Sequence, residues 1–183
     1  MKTITMFLNL LLITILCLGI FNAKSLKRCT QNVVAPVYSG NEAAPLVDSC
    51  FYMQSVQNGL VADYGNAKDF TILLRPLNKS PNQVVCVEKG NEWEDFYYVY
   101  FKIDKNKVFS ILGDEGRTNG ANIFKYPIRG GAYQQIGIIR NKLGQFNFKA
   151  LNSGMFFGVN FAGKITQSQP DGSDSQLWRL IPY

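Results

Sequence analysis

The chain closes on Gln176-Leu177-Trp178-Arg179-Leu180, and the same pattern stands twice more upstream, as Gln83-Val84-Val85-Cys86-Val87 and Gln134-Gln135-Ile136-Gly137-Ile138. Each copy is a glutamine, a spacer, an apolar residue, a spacer and a second apolar residue. About thirty residues before each glutamine lies an alternating run: Phe51-Tyr52-Met53-Gln54-Ser55, Val99-Tyr100-Phe101-Lys102-Ile103 and Phe146-Asn147-Phe148-Lys149-Ala150. Met53, Phe101 and Phe148 are 48 and 47 residues apart, which sets the period. A repeat of this length is one supersecondary unit built three times, none of which buries its apolar face alone. The shared interior is expected to hold Met53, Phe101, Phe148, Val85, Ile136 and Trp178.

Within each unit the pattern is of short alternating runs broken by turn residues, the mark of an all-β barrel or sandwich. Thr71-Ile72-Leu73-Leu74, Val84-Val85, Val108-Phe109 and Ile138-Ile139 are rich in strand formers. Asn58-Gly59, Gly65-Asn66, Asn119-Gly120, Gly130-Gly131, Ser153-Gly154 and Asp171-Gly172 are the breakers. No stretch sustains a 3.6-residue period, so any helix should be a single turn. Three units of four short strands make a barrel capped by three hairpins, a β-trefoil with three pseudo-symmetric repeats.

The first residues read as a secretory signal: Lys2 supplies the positive start, and Leu8 to Ile20 is an apolar run broken only by Asn9, Thr14 and Gly19. Small residues allow cleavage after Ser25 or after Ala23. The run is short of the ~20 apolar residues that span a bilayer, and no second stretch is long enough, so no membrane span is expected. The expected organisation is a signal peptide over 1–25, an irregular lead-in with Pro36, Gly40 and Pro45 over 26–48, and the β-trefoil over 49–183. The mature chain is expected to be secreted.

Cys17 leaves with the signal, so Cys29, Cys50 and Cys86 remain. Three is odd, and one disulfide with one leftover thiol is the simplest arrangement in an oxidising compartment. Cys50 opens the first repeat and Cys86 lies in its closing strand, which makes Cys50–Cys86 the favoured pair. Cys29 is left free or for another chain.

The 19 basic residues less Lys2 and Lys24 leave 17 against 13 acidic, a net +4. Residues 101–183 hold 11 basic and 5 acidic, whereas 26–100 hold 6 and 8. A basic half favours anionic glycans or membrane surfaces, and scattered lysines on a soluble surface give the same count. Histidine is absent. That removes Ser-His and Cys-His nucleophilic pairs and the commonest metal ligand. No phosphate loop, zinc spacing or nucleic-acid motif is present, so no cofactor, metal or nucleic-acid partner is expected. Glu88, Glu92, Glu94 and Asp95 surround Trp93, where a solvated loop is the simpler reading of clustered carboxylates than an acid–base pair. Asn78-Lys79-Ser80 is the one N-glycosylation sequon, with Pro81 directly after it lowering its use.

Residues 49–183 resemble the ricin B-type β-trefoils, whose repeats end in a Gln-x-Trp motif. The third repeat carries the tryptophan as Trp178; Val85 and Ile136 stand in its place in the other two. The resemblance implies a sugar site in each competent repeat: an aspartate after the second strand, an aromatic platform and a polar Asn-Gln pair at the closing motif. A carboxylate accepts hydrogen bonds from adjacent sugar hydroxyls, an amide adds a donor and an acceptor, and a ring covers the apolar sugar face.

Carried over residue by residue, the first repeat offers Asp63 as the aspartate, Asn82-Gln83 as the polar pair and Arg75 at the platform position, with Tyr64 nearby. The second offers Tyr126 as platform and Gln134 as closing residue, but Ile111 at the aspartate position and Asp114 three residues late. The third has Gly158 there, with Asn160, Phe161 and Gln176 close by. Asp63 before Gly65 is also a turn-capping residue, and the three glutamines have a fold-supporting role in the family. Trp178 reads as core. The expected site is thus Asp63, Arg75, Asn82 and Gln83, with a glycan or glycoprotein as partner and no catalysis. The alternative is a secreted β-trefoil that binds a protein target, such as a protease inhibitor or effector, without sugar.

Overall fold

The computed structural model describes residues 46–90, 95–111 and 117–183. The signal segment, Cys29 and most of the lead-in, Glu92, Trp93, Glu94 and Asp114 lie outside the described residues.

Twelve strands follow one another: β1 (Cys50–Ser55), β2 (Val61–Asp63), β3 (Leu73–Arg75), β4 (Val84–Lys89), β5 (Tyr97–Phe101), β6 (Asp104–Ile111), β7 (Ile123–Pro127), β8 (Ile136–Arg140), β9 (Phe146–Ala150), β10 (Phe156–Val159), β11 (Ile165–Ser168) and β12 (Trp178–Pro182). A single 3₁₀ turn, Pro81–Gln83, Ala132–Gln134 or Asp174–Gln176, leads into the last strand of each repeat.

Antiparallel pairing runs β1–β4–β5–β8–β9–β12 and back to β1. Six strands therefore close a barrel, which leaves none of them with an unpaired edge. The remaining strands form three hairpins, β2–β3, β6–β7 and β10–β11. The fold is a β-trefoil with three pseudo-symmetric repeats.

The period-2 alternation places one face of each barrel strand inward. Met53, Phe101 and Phe148 are fully buried, as are Val85, Ile136 and Trp178. Under the hairpins, Ile72, Ile123 and Ile165 occupy equivalent stations eleven residues before the closing glutamines, all three buried in the same cluster. Packing is not symmetric in volume: Ala62 stands where the other repeats place Phe109 and Phe157. Trp178 fills the third repeat's station, and its Nε1–H donates to the Phe157 carbonyl at 3.0 Å. Its indole thus brings large apolar area into the core while leaving no orphan donor.

The Cys50–Cys86 disulfide joins residues directly opposite in the β1–β4 ladder, with Cα atoms 4.1 Å apart. One detail of the second repeat departs from the other two. The β1–β2 and β9–β10 connections each take five residues, whereas β5 and β6 are joined by Lys102-Ile103 alone, with a register shift at Tyr100/Phe101. The run expected as a strand through Ile103 therefore ends at Phe101.

Candidate functional site

The hairpin registers define which residues are equivalent. Val61 pairs with Arg75, Val108 with Tyr126 and Phe156 with Ser168. Two residues further, Asp63 faces Leu73, Ser110 faces Phe124 and Gly158 faces Thr166. The aspartate station of the second repeat is therefore Ser110, and Ile111, expected there from the spacing, is a fully buried core residue. The shorter β5–β6 connection moves the station one residue closer to Phe101.

Behind each station sits the closing glutamine, and all three do the same work. Gln83 accepts the Asn78 N–H at 2.9 Å through Oε1 and donates to the Pro76 carbonyl at 3.0 Å through Nε2. Gln134 accepts from the Arg129 N–H at 2.6 Å and donates to Pro127 O at 2.9 Å. Gln176 accepts from the Asp171 N–H at 3.1 Å and donates to Gln169 O at 2.7 Å. The spacing is five and seven residues back in every case. A buried amide that satisfies both ends on the backbone pins the loop between the third and fourth strands. Gln83 thus acts as a clamp on the loop that carries the other candidate residues.

The stations differ in what they offer. In the third repeat a Cβ at Gly158 would lie 3.1 Å from the Ser175 carbonyl and 3.3 Å from Gln176 Cγ, so a side chain there forces the clamp to shift. In the second, the Ser110 hydroxyl donates to Val108 O at 3.0 Å and accepts from Gln134 Nε2 at 2.9 Å. It is turned inward and engaged. In the first, Asp63 is 3% exposed and its Oδ1 accepts the Gly65 N–H at 2.8 Å, so the carboxylate holds the turn. Asn82 is brought alongside because its carbonyl accepts the Tyr64 N–H at 2.8 Å. Register puts Arg75 on the same face of the hairpin as Asp63, as a diagonal neighbour on the order of 7–8 Å away. Arg75 is exposed. Asp63 and Arg75 thus share one face of the β2–β3 hairpin, and the Tyr64–Asn82 bond ties that hairpin to the segment before β4, where Gln83 is buried.

Lys79 belongs to the same loop. It adopts a φ of +58°, at the station where the other repeats place Gly130 (+79°) and Gly172 (+71°). An L-residue in this region costs about 1–2 kcal/mol relative to the ordinary helical well.

A polar network that the sequence pattern does not announce fastens this hairpin to the second repeat. Tyr64, at the core station of Ile111 and Val159, donates from its hydroxyl to Asp104 Oδ2 at 2.7 Å and accepts from Lys107 Nζ at 3.1 Å. Lys125, fully buried, reaches the Thr71 carbonyl at 2.6 Å and Asp69 at 3.2 Å and lies 4.7 Å from the Tyr64 ring centre. Burial pushes the Lys125 ammonium below its ordinary range, with the Asp69 contact opposing it. For Asp104, burial alone would raise the carboxyl, but the Tyr64 and Lys107 bonds outweigh it and hold it below its usual value. Gln167, the equivalent of Lys125 in the third repeat, donates to the Thr118 carbonyl at 3.0 Å. Each side chain crosses from its own repeat to hold the preceding hairpin. No signal short of the fold could pair these residues, which lie 40 to 56 positions apart.

No known protein family and no curated protein matches the chain by sequence. Solved structures do. The designed threefold-symmetric protein ThreeFoil superposes with a TM-score of 0.66 at 22% identity, over 74% of this chain and all of that one. The Rhizoctonia solani agglutinin gives 0.64 at 14% identity, over 75% of this chain and 97% of its own. The Macrolepiota procera ricin B-like lectin, solved in complex with lactose, gives 0.60 at 13%, over 75% and 97%. The fold shared with these structures is the β-trefoil. The same fold also occurs as part of larger proteins: a mosquitocidal holotoxin superposes at 0.66 with 15% identity, and this chain spans 17% of it.

Proposed function

We propose that this is a secreted, non-catalytic protein that binds a carbohydrate or glycoconjugate through the first repeat of its β-trefoil. The observation that carries the reading is Asp63, an aspartate at the hairpin station where the other two repeats have Ser110 and Gly158. A carboxylate accepts hydrogen bonds from sugar hydroxyls, which neither an inward serine hydroxyl nor a glycine offers. Gln83 positions the loop, and Asn82 and Arg75 complete the contacts. The lectin-type neighbours support carbohydrate as the ligand class and binding rather than catalysis as the role. The Cys50–Cys86 disulfide supports an oxidising compartment.

A glycan array probed with the full mature chain tests this. Binding to a defined set of oligosaccharides that is lost in Asp63→Asn supports the reading, and silence across the array contradicts it.

One observation favours the protein-binding alternative. Phe161 is fully exposed at the tip of a turn held by Asn160, whose Oδ1 accepts the Ala162 and Lys164 N–H groups at 3.0 Å each. A rigid loop offering an aromatic side chain suits a pocket on a protein target. A target captured by the wild-type chain and released by Phe161→Ala, together with a silent array, would select this alternative.

A further inference from the structure

The first repeat's loop differs from its two counterparts in charge, and that difference names the class of sugar. Residues 75–83 hold Arg75 and Lys79 and no acidic residue, the equivalent stretch 126–134 holds Arg129 alone, and 168–176 holds Asp171 and Asp174 and no basic one. Where the second repeat presents Tyr126 as a ring, the first presents a guanidinium. Both Arg75 and Lys79 are exposed, and neither forms an ion pair among the described residues, where the pairs are Lys107–Asp104 and Lys125–Asp69.

Two further features fix the backbone that carries these charges. The Gln83 clamp fixes the backbone at Pro76 and Asn78, between the two basic residues. Lys79 keeps a left-handed backbone at a station where the other two repeats use glycine. Strain retained at one of three equivalent turns, on the repeat that alone carries an aspartate at the hairpin station, marks a residue kept for what it contacts.

We propose that the first repeat recognises a glycan bearing an anionic group, with the Arg75 fork and the Lys79 ammonium on the carboxylate or sulfate and Asp63 and Asn82 on neighbouring hydroxyls. This rests on the carbohydrate reading above. Arginine's planar donors match both anions in a two-point contact, and lysine adds a point charge. Asp63 and Arg75 lie on one face of the β2–β3 hairpin, so one ligand presents hydroxyls to the first and an anion to the second.

The test is calorimetric titration of the full mature chain with three oligosaccharides on a common core: a neutral parent, a form with a carboxylated terminal sugar and a form with a sulfate ester. At least one acidic form is expected to bind roughly tenfold or more tighter than the parent. Raising salt from about 0.1 M to about 1 M should erase much of that difference, as screening shortens from ~10 Å to ~3 Å. Arg75→Gln should bring the acidic form to the affinity of the parent, and Lys79→Gly should move it in the same direction while melting unchanged or higher. Which acidic arm responds separates carboxylate from sulfate recognition. Equal binding of neutral and acidic forms, unaltered by Arg75→Gln, overturns the anionic assignment and leaves the carbohydrate reading standing. Absence of binding in all three arms contradicts both.

Discussion

Gln134 Nε2 donates to the Ser110 hydroxyl at 2.9 Å, at the station that Asp63 holds in the first repeat. The three closing glutamines have one geometry and three different neighbours: an aspartate, an inward serine and a glycine where a Cβ would force the clamp to shift. Threefold symmetry is therefore a property of the scaffold, and the proposed sugar site is a property of one repeat.

Removing a clamp should show this division. Gln134→Ala leaves the Pro127 carbonyl, the Arg129 N–H and the Ser110 hydroxyl without their partner. The expected cost is about 2–4 kcal/mol of folding stability, because a buried polar group left unpaired bears its desolvation penalty in full. Urea unfolding followed by tryptophan fluorescence measures it. A loss below about 0.5 kcal/mol would show that water replaces the amide.

Much of the scaffold was legible in the sequence. The phase of Met53, Phe101 and Phe148 places three apolar side chains at one level of the barrel, and period-2 alternation leaves little freedom over which face turns inward. What the phase could not carry was position beyond a hairpin. Counting ten residues from Phe101 reaches Ile111, but the two-residue connection at Lys102-Ile103 moves the station to Ser110. Of the candidate site, the sequence placed Asp63 on the second strand of its repeat and Asn82-Gln83 just before the fourth, as the fold has them. The left-handed backbone of Lys79 and the Tyr64–Asp104–Lys107 network depend on contacts between segments, for which spacing holds no signal.

Gln135 is a place where the fold can be improved. It is fully buried, and neither atom of its side-chain amide finds a hydrogen-bond partner. The equivalent residues are Val84 and Leu177. Gln135→Leu should raise stability by about 1–3 kcal/mol, the desolvation cost of an unpaired amide. A lower midpoint in urea would show that the amide is satisfied by an internal water.

The Cys50–Cys86 bridge closes a segment of 36 residues. In the chain-entropy model its removal costs about 3–4 kcal/mol. A Cys50→Ser, Cys86→Ser double variant should lose that much while keeping its β-type circular dichroism, since β1 also pairs with β12 over five residues. An unchanged midpoint would mean that the reduced chain is already restricted when unfolded.

Acid should loosen the junction between the first two repeats. Asp104 is held below its ordinary value of 3.8 by Tyr64 and Lys107, against the effect of burial. A carboxyl with a depressed folded pKa contributes stability that is present above the unfolded value and is lost as pH falls through the folded one. Asp104→Asn removes this contribution, so its unfolding free energy should vary less than wild type between about pH 5 and about pH 2. Parallel pH profiles for the two proteins would place the acid sensitivity elsewhere.

The central claim is that the first repeat binds sugar through Asp63. Asp63→Asn keeps an oxygen for the Gly65 N–H and removes the charged acceptor. Calorimetric titration of the array-selected glycan into both proteins, with melting temperatures measured alongside, tests the claim most directly. The expected result is a loss of about 1.5–3 kcal/mol, roughly ten- to a hundredfold in affinity, at an unchanged melting temperature. Unaltered affinity in Asp63→Asn would place the site elsewhere, and an unfolded variant would show that Asp63 is a turn residue alone.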